Sequence, residues 1–514
     1  MNWRARLTAR LRPVNFFNNT IKPEAAGEAG PSGFMAFSHT GQVVAARRAL
    51  LEAGLSPQIK APPPNLREGC DMVLEFPAEL SAVYLAVLEE KKLRPLAIKS
   101  IDGPLTAPES LFRKKTFANC LMVQAANMKL TIDQASGRVV NISGGGCPDV
   151  PYLAEILSGN LITEVEKPDE LSRSLCSFSL AQAKEEAERL FLAGQTESVK
   201  KLKPLGRDQE SLPALPWPRK KNWPRQKPWL IVGTLGQPEA PLHEGSFHWQ
   251  KGFVEWAGQK LTPTRGTAAL MAAYAITAEV LGLPPGRAVL AGDNGQGNGS
   301  RLIYEWLVNN IQANPWSGLT FHYLFPDASW HDRIFLSLDE LSPRPLLAAD
   351  AGFMYVAKMC GQAQEYDLFT PDAGEMAYLA DPLAPHPFYT RGALIQSEPG
   401  PTMFKETHQE GNAARTMLVK GQSDYIVWRG RVIHQVGSPV VPALEAIGGT
   451  GDTATGLASA FMAAGYSPAR SSALAAHLNR RLGLLAAPEP QTSIAEILTH
   501  LPDLLRNELP LSLQ

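Results

Sequence analysis

The chain has 514 residues, 44% of them hydrophobic, and a formal net charge of −1. At about 100–200 residues per domain, that length holds two to four domains with ample core. Near-neutral charge excludes a general polyanion binder, so nucleic acid is not an expected partner and any basic patch must be local. The opening "MNWRARLTARLRP" lacks the apolar run of a secretory signal. No uninterrupted apolar stretch reaches the about 18 residues of a membrane span. Five scattered cysteines show no ligand spacing, which predicts no zinc site, no resident metal and no disulfide framework, and fits a cytoplasmic protein.

Residues 1–33 read as a flexible tail without period. Residues 34–101 read as strand ("FMAFSHT"), helix ("GQVVAARRALLEAG"), strand ("DMVLEF"), helix ("ELSAVYLAVLEEKK") and strand ("RPLAIKSI"), a small α/β sandwich. Residues 102–199 form a middle α+β segment: a hairpin in "MKLTIDQASGRVVNIS", a glycine loop and helix in "GGGCPDVPYLAEILSG", and a charged amphipathic helix in "SLAQAKEEAERLFLAG". Residues 200–227 are Pro-rich and basic, the composition of a linker. The cations and tryptophans of "RKKNWPRQKPW" have the make-up of a base-stacking surface, but a solvated linker is the plainer reading.

From residue 228 to 514 the pattern becomes apolar runs alternating with helices: "WLIVG", "AVLAG", "LTFHYLF", "PLLAAD", "YDLFT" and "TMLVKG". This predicts a mostly parallel sheet with helices on both faces. "DYIVWRGRVIHQVG" adds a hairpin turned at Arg429 and Gly430.

In such a sheet ligands sit at the carboxyl ends of strands, where loops enter helices. "IGGTGDTATGLASAF" is such a loop. Gly448, Gly449 and Gly451 permit close approach of backbone to ligand, and free N–H groups at a helix start attract a phosphate. A carboxylate there, Asp452, suits a base that takes a proton from a hydroxyl meeting that phosphate; equally, Asp452 suits a helix cap. Asn294, Gly295 and Gly297 of "AGDNGQGNGS" suit a second ligand-facing loop or a plain tight turn. In "LTPTRGTAAL", Thr264 or Thr267 fits a helix cap, and Arg265 has the reach to hold an anion.

"GGTGD" resembles the signature of the ribokinase-like superfamily, and its double glycine resembles the NAD(P)H-hydrate dehydratase branch. Asp350 and Ala351 of "LLAADAGFM", Thr370, Pro371, Gly374 and Glu375 of "LFTPDAGEMAYL", and Lys420 and Gly421 of "MLVKGQSDYIV" resemble further motifs of that family, in its order. The resemblance covers roughly residues 228–505. It implies a ribokinase-like fold and an enzyme that uses ADP or ATP, with Mg²⁺, to dehydrate hydrated NADH or NADPH. On that template Asp452 is the base and the 448–451 loop, with Thr450, is the anion hole. Lys420 and Gly421 lie near the nucleotide, and Asp350, Gly374 and Glu375, with the 294–297 loop, line the substrate. The chain departs where the family's histidine is replaced by Asp372, which bears on the substrate. The 292–300 loop also resembles, locally, the glycine loop of NAD(P)H-hydrate epimerase.

The amino-terminal unit resembles selenium- or sulfur-carrier-like domains through Pro64, Arg67 and Cys70, which implies a carrier thiol at Cys70 and a sulfur- or selenium-handling protein partner. Cys147, after three glycines, reads by default as part of a structural turn. Three functions follow: a nucleotide-dependent dehydratase, a small-molecule kinase of the same superfamily, or a carrier protein using Cys70. The sequence leaves homo-oligomerisation open.

Overall fold

The computed structural model describes residues 32–63, 72–101, 103, 106–194, 227–385 and 399–509. The expected tail, most of the linker, and Pro64, Arg67 and Cys70 lie outside them. Among the described residues no helix is long and apolar enough to cross a membrane.

The first unit pairs β1 (Ser32–Ala36), β2 (Gln58–Lys60), β3 (Val73–Pro77) and β4 (Ala97–Ser100) in the order β2-β3-β1-β4, all antiparallel. Helices α1 (Thr40–Glu52) and α2 (Ser81–Glu90) accompany them. Met35, Phe37, Leu50, Leu74 and Tyr84 share its core. This is the expected small sandwich, begun two residues before the expected boundary and with β2 added.

The middle unit is an antiparallel meander of β5 (Phe112–Phe117), β6 (Cys120–Ala125), β7 (Met128–Asp133) and β8 (Val139–Ser143). Helices α3 (Val150–Leu157) and α4 (Leu175–Leu192) pack on it around Val123, Leu130, Leu153 and Leu180. The β7–β8 hairpin and both helices match the sequence reading; β5 and β6 were not foreseen.

The remainder is one eleven-stranded sheet in the order β12-β11-β10-β13-β9-β14-β15-β16-β17-β18-β19. Its centre holds β13 (Gly286–Gly292), β9 (Trp229–Leu235), β14 (Gly318–His322), β15 (Leu346–Ala349), β16 (Leu368–Phe369) and β17 (Thr416–Val419). These are parallel, and each is an apolar run because both faces are covered. This is the expected mostly parallel sheet, and antiparallel strands extend both of its edges. On one side β10 (His243–Gln250), β11 (Phe253–Trp256) and β12 (Gln259–Leu261) form an antiparallel meander. On the other, β18 (Asp424–Trp428) and β19 (Arg431–Val436) form the predicted hairpin.

One face carries α5 (Gly266–Val280), and the other α6 (Asn298–Asn310), α7 (Ala328–Asp339), α8 (Gly352–Met359) and α9 (Ala373–Ala380). Helix α10 (Pro401–Gln409) packs near β19, while α11 (Thr450–Ala463) and α12 (Pro468–Ala486) join α5. Helix α5 is buried nearly all round, as its uniformly apolar sequence requires. It crosses α11 so closely that a Cβ at Gly456 would lie 2.3 Å from the Leu270 carbonyl oxygen. Each fully buried Leu, Ile or Phe in these layers contributes roughly 1.5–3 kcal/mol. The result is a rigid sheet whose carboxyl-end loops converge on the start of α11.

Candidate active site

Helix α11 begins at Gly449, whose φ of +94° only glycine adopts freely. No side chain caps it. Among the described residues no group accepts from the amides of Gly449, Thr450 or Gly451. Unpaired N–H groups at a helix start, with the helix dipole behind them, attract an anion. The fourth amide of the loop, Gly448, donates to Asn141 Oδ1 at 3.0 Å. The Thr450 hydroxyl turns back to the Ile447 carbonyl at 3.3 Å.

Asp452, one turn in, is 7% exposed and does not cap its own helix. Its Oδ2 accepts from the Gly266 amide at 2.7 Å, so it caps α5 instead. This overturns the expected cap from Thr264 or Thr267: no side chain of that segment caps α5, and Thr267 donates to the Thr234 carbonyl at 2.8 Å. Asp452 Oδ1 lies 3.1 Å from His322 Nε2. Burial alone would raise the Asp452 pKa. The His322 hydrogen bond and the charges of His322, Arg265 and Lys420 outweigh it and hold the carboxyl at about 2.

His322 was missed in the sequence. It is fully buried at the end of β14. Its Nδ1 stands 3.1 Å from the Thr267 hydroxyl, which also reaches the Thr234 carbonyl, and its Nε2 faces Asp452. A histidine inside the apolar run "LTFHYLF" was the available signal, because a buried polar group needs partners.

Asp350, at the end of β15, is 2% exposed and accepts Lys420 Nζ at 2.9 and 3.1 Å and the Thr455 hydroxyl at 2.6 Å. Burial opposes the Lys420 charge, but Asp350, Glu375 and Asp452 raise its pKa and keep it cationic. A Cβ at Gly451 would sit 3.4 Å from Lys420 Nζ, so the ammonium flanks the free amides. The residues after His322 and Asp350 have positive φ, Tyr323 at +52° and Ala351 at +55°. Such backbone costs of order 1–3 kcal/mol and turns the chain sharply where both strands end. His322, Asp350 and Asp452 each bring one donor atom within 4.8 Å of the others, the spacing of a metal cluster. Lys420 already engages both Asp350 oxygens and supplies that positive charge.

The other expected residues behave differently. Gly421 closes a turn: its amide donates to Asp424 Oδ1 at 3.0 Å and its carbonyl accepts from Arg480. The 294–297 loop is closed on itself. Asp293 accepts the amides of Gly295, Gly297 and Ser300 at 2.9–3.0 Å, and Asn294 Oδ1 accepts from Gln296. Asp372 is neither free nor facing open space. It forms a capping box with Glu375 at α9 and accepts from Asn127 Nδ2 at 2.9 Å. Gly374 packs against Asn127. Glu375 is buried; burial and then Asp372 and Asp350 raise its pKa. Arg265 does not reach an anion: its guanidinium donates to the carbonyls of Ile142 and Gly144 at 3.1 Å.

Asn127, Asn141 and residues 142–146 all belong to the middle unit. That unit therefore forms a wall of the site. A Cβ at Gly146 would collide with Glu375 Oε1 at 2.0 Å, and Tyr323 donates its hydroxyl hydrogen to the Gly145 carbonyl at 2.8 Å. The turn before Cys147, read from sequence as structural, lies against Glu375 and Tyr323.

Comparison with known proteins bears on this arrangement. Residues 329–505 match the NAD(P)H-hydrate dehydratase family, residues 32–100 the Se/S carrier protein-like family, and residues 111–196 a domain of unknown function. Uncharacterized protein MJ1337 of Methanocaldococcus jannaschii is 34% identical over 225 residues, 43% of this chain and 92% of that protein. Uncharacterized protein MJ0011 of the same organism is 36% identical over 151 residues, 29% of this chain and 76% of that protein. Among solved structures, a ribokinase-like superfamily protein of Enterococcus faecalis matches at 15% identity and TM-score 0.35, covering 55% of this chain and 88% of that one. The ADP/ATP-dependent NAD(P)H-hydrate dehydratase of Bacillus subtilis matches at 14% identity and TM-score 0.36, covering 57% and 95%. The chain belongs to the family of the two archaeal proteins, and its carboxy-terminal part carries the NAD(P)H-hydrate dehydratase family match.

Proposed function

From that membership and that match we propose that residues 228–505 form a nucleotide-dependent enzyme of the NAD(P)H-hydrate dehydratase kind, using ADP or ATP to remove water from a hydrated nicotinamide cofactor. One observation carries the reading: the three unpaired amides at residues 449–451 stand beside the Lys420 ammonium and the ionised Asp452 carboxylate. The amides receive phosphoryl oxygens as charge develops. Lys420 adds charge at the Gly451 side. Asp452 orients the substrate hydroxyl and takes its proton as oxygen attacks the terminal phosphoryl group of ADP or ATP, whose bond to the rest of the nucleotide breaks to release AMP or ADP. Phosphate then leaves with that oxygen, and loss of a ring proton restores the double bond. A carboxylate held at about 2 is a weak base, so its main service is orientation and stabilisation of the departing proton. A Mg²⁺ accompanying the nucleotide would neutralise phosphate charge, and Asp452 would be the carboxylate to hold it, since Asp350 is committed to Lys420.

A second reading, a small-molecule kinase on the same machinery, is favoured by Asp372. That position, a histidine in the family, is spent here on Glu375 and Asn127. The full chain with hydrated NADH, Mg²⁺ and ADP or ATP, followed by mass spectrometry, separates the two. The dehydratase reading expects NADH and free phosphate. A phosphorylated product from a metabolite pool, with hydrated NADH untouched, supports the kinase. For either reaction Asp452→Asn lowers turnover by about 10²–10⁴-fold while nucleotide affinity stays within a few-fold. Full turnover in that variant removes Asp452 from the chemistry.

A further inference from the structure

We propose that Cys147 and Cys176 form a redox-active pair, which a small disulfide entering the cavity beside Cys147 converts to an internal disulfide. This modification site is separate from the Asp452 reading and does not depend on it. Cys147 ends the triple-glycine turn that leads into α3, and Cys176 stands in the first turn of α4. Both belong to the buried core of the middle unit.

The fold brings the two sulfurs together. The Cys176 thiol lies within hydrogen-bond reach of the Cys147 side chain and also meets the Cys147 amide. The glycine turn allows this approach. Gly145 has a φ of +81°, and a Cβ there would lie 3.3 Å from Cys176 Sγ and would strike Met128 Sδ at 2.3 Å. Two other thiols are spent differently: Cys120 donates to Gln491 Oε1 at 3.6 Å, and Cys360 to the Ala328 carbonyl at 3.9 Å. Cys176 faces sulfur instead of oxygen. Cys147, 8% exposed, lines a cavity of about 620 Å³ whose walls include Pro148, Leu171, Phe325 and Tyr355. A cavity of that size admits a small disulfide.

Position assigns the order of exchange. The Cys147 thiolate attacks one sulfur of the entering disulfide, whose S–S bond breaks. One small thiolate leaves with the electron pair and takes up the proton that Cys147 gave. Cys176 waits behind: the Cys147 side chain, and then burial, raise its pKa. Once Cys147 is a neutral mixed disulfide it no longer opposes charge on Cys176. Cys176 then gives up its proton and attacks Cys147 Sγ, which expels the second small thiol. Two protein thiols are oxidised and one small disulfide is reduced to two thiols, so electrons and protons balance. The new bond ties α4 to the turn whose Gly144 and Gly145 carbonyls hold Arg265 and Tyr323.

Hydroxyethyl disulfide, a small neutral oxidant, is the probe, applied to the reduced full chain at neutral pH. Mass spectrometry should show the loss of two hydrogens and a bond joining the tryptic peptide that holds Cys147 to the one that holds Cys176. Excess mercaptoethanol should reverse it. In Cys176→Ser the reaction should stop at a mixed disulfide on Cys147. In Cys147→Ser the Cys176 thiol should stay free, because Cys147 is the member of the pair that lines the cavity. The oxidised wild type should melt above the reduced form, since a bond that fits the fold restricts the unfolded chain. A peptide map that joins other cysteines, or leaves both thiols free, overturns the proposal. So does capture at Cys176 in place of Cys147, or an oxidised form that melts below the reduced one. Circular dichroism checks that each variant folds; if a serine variant does not, the wild-type map decides. Asp452→Asn should form the same bond, so failure of the Asp452 reading leaves this result intact.

Discussion

Two loops of this protein look alike on paper and differ in kind. The 292–300 loop follows β13 and the 448–451 loop follows a short 3-10 turn at residues 442–445; each carries several glycines, has one aspartate within it or at its edge, and opens a helix. In the first, the aspartate precedes the glycines. Asp293 reaches forward and takes the amides of Gly295, Gly297 and Ser300, together with the Ser300 hydroxyl. In the second, the aspartate follows the glycines, sits one turn inside the helix and turns away to Gly266 and His322. The first loop supplies its own anion; the second leaves its amides open. The order of aspartate and glycine along the chain, rather than glycine content, separates a closed turn from a cradle.

The sharpest way to break this contrast is to open the closed loop. Asp293→Ala leaves two buried amides, one half-buried amide and a hydroxyl without their acceptor. At the usual worth of bonds to a charged group, the loss should be roughly 3–5 kcal/mol. A thermal or urea scan reads it as a lowered midpoint. Inorganic phosphate should then protect the variant more than the wild type, since the emptied loop resembles the 448–451 cradle. No added protection by phosphate would mean that loop shape, and not the missing carboxylate, divides the two.

A smaller effect tests the other aspartate. Asp452 has a pKa of about 2 in the folded protein against an ordinary 3.8. A lowered pKa stabilises the fold at pH values above the unfolded one, and that contribution fades as pH falls from about 4 toward 2. Its full size is about 2 kcal/mol, with about half gone by pH 3. Urea unfolding of wild type and Asp452→Asn should therefore show a stability gap at pH 5 that narrows by pH 3. A gap that stays constant would show that the Asp452 pKa is not lowered by folding.

The sequence carried the central strands because parallel strands buried on both faces must be continuous apolar runs, as "WLIVG" and "TMLVKG" are. Strand β5, "FRKKTF", escaped because three of its six residues are cationic and its surface is largely wet. The β10–β12 meander escaped for the same reason: "HEGSFHWQ" has little apolar alternation. Within the site, local motifs announced Asp452, Asp350 and Lys420. What they could not announce were contacts closed from far away. The cap of α5 comes from a residue 186 positions later, and the acceptor for Gly448 from one 307 positions earlier. Arg265 looked free for an anion for the same reason, since its acceptors, the Ile142 and Gly144 carbonyls, belong to another unit.

That long-range acceptor gives the finest test of the comparison. Asn141 stands to the 448–451 loop as Asp293 stands to its own, but it is neutral, borrowed from the middle unit and engages one amide of that loop, its Oδ1 also accepting from the Ile142 amide. It also donates to the Pro490 carbonyl at 3.0 Å, tying the middle unit to the segment before the last helices. Asn141→Ala frees the Gly448 amide and adds a fourth donor to the cradle. A neutral hydrogen bond contributes about 1 kcal/mol and Asn141 makes one to Gly448 and one to Pro490, so stability should fall by about 2 kcal/mol. Nucleotide affinity should shift by no more than about tenfold, because the new donor is offset by the looser hold on the loop. Calorimetry with ADP and a denaturant scan read the two effects independently. A loss of binding far beyond tenfold, at unchanged stability, would show that the middle unit holds the cradle in its open form.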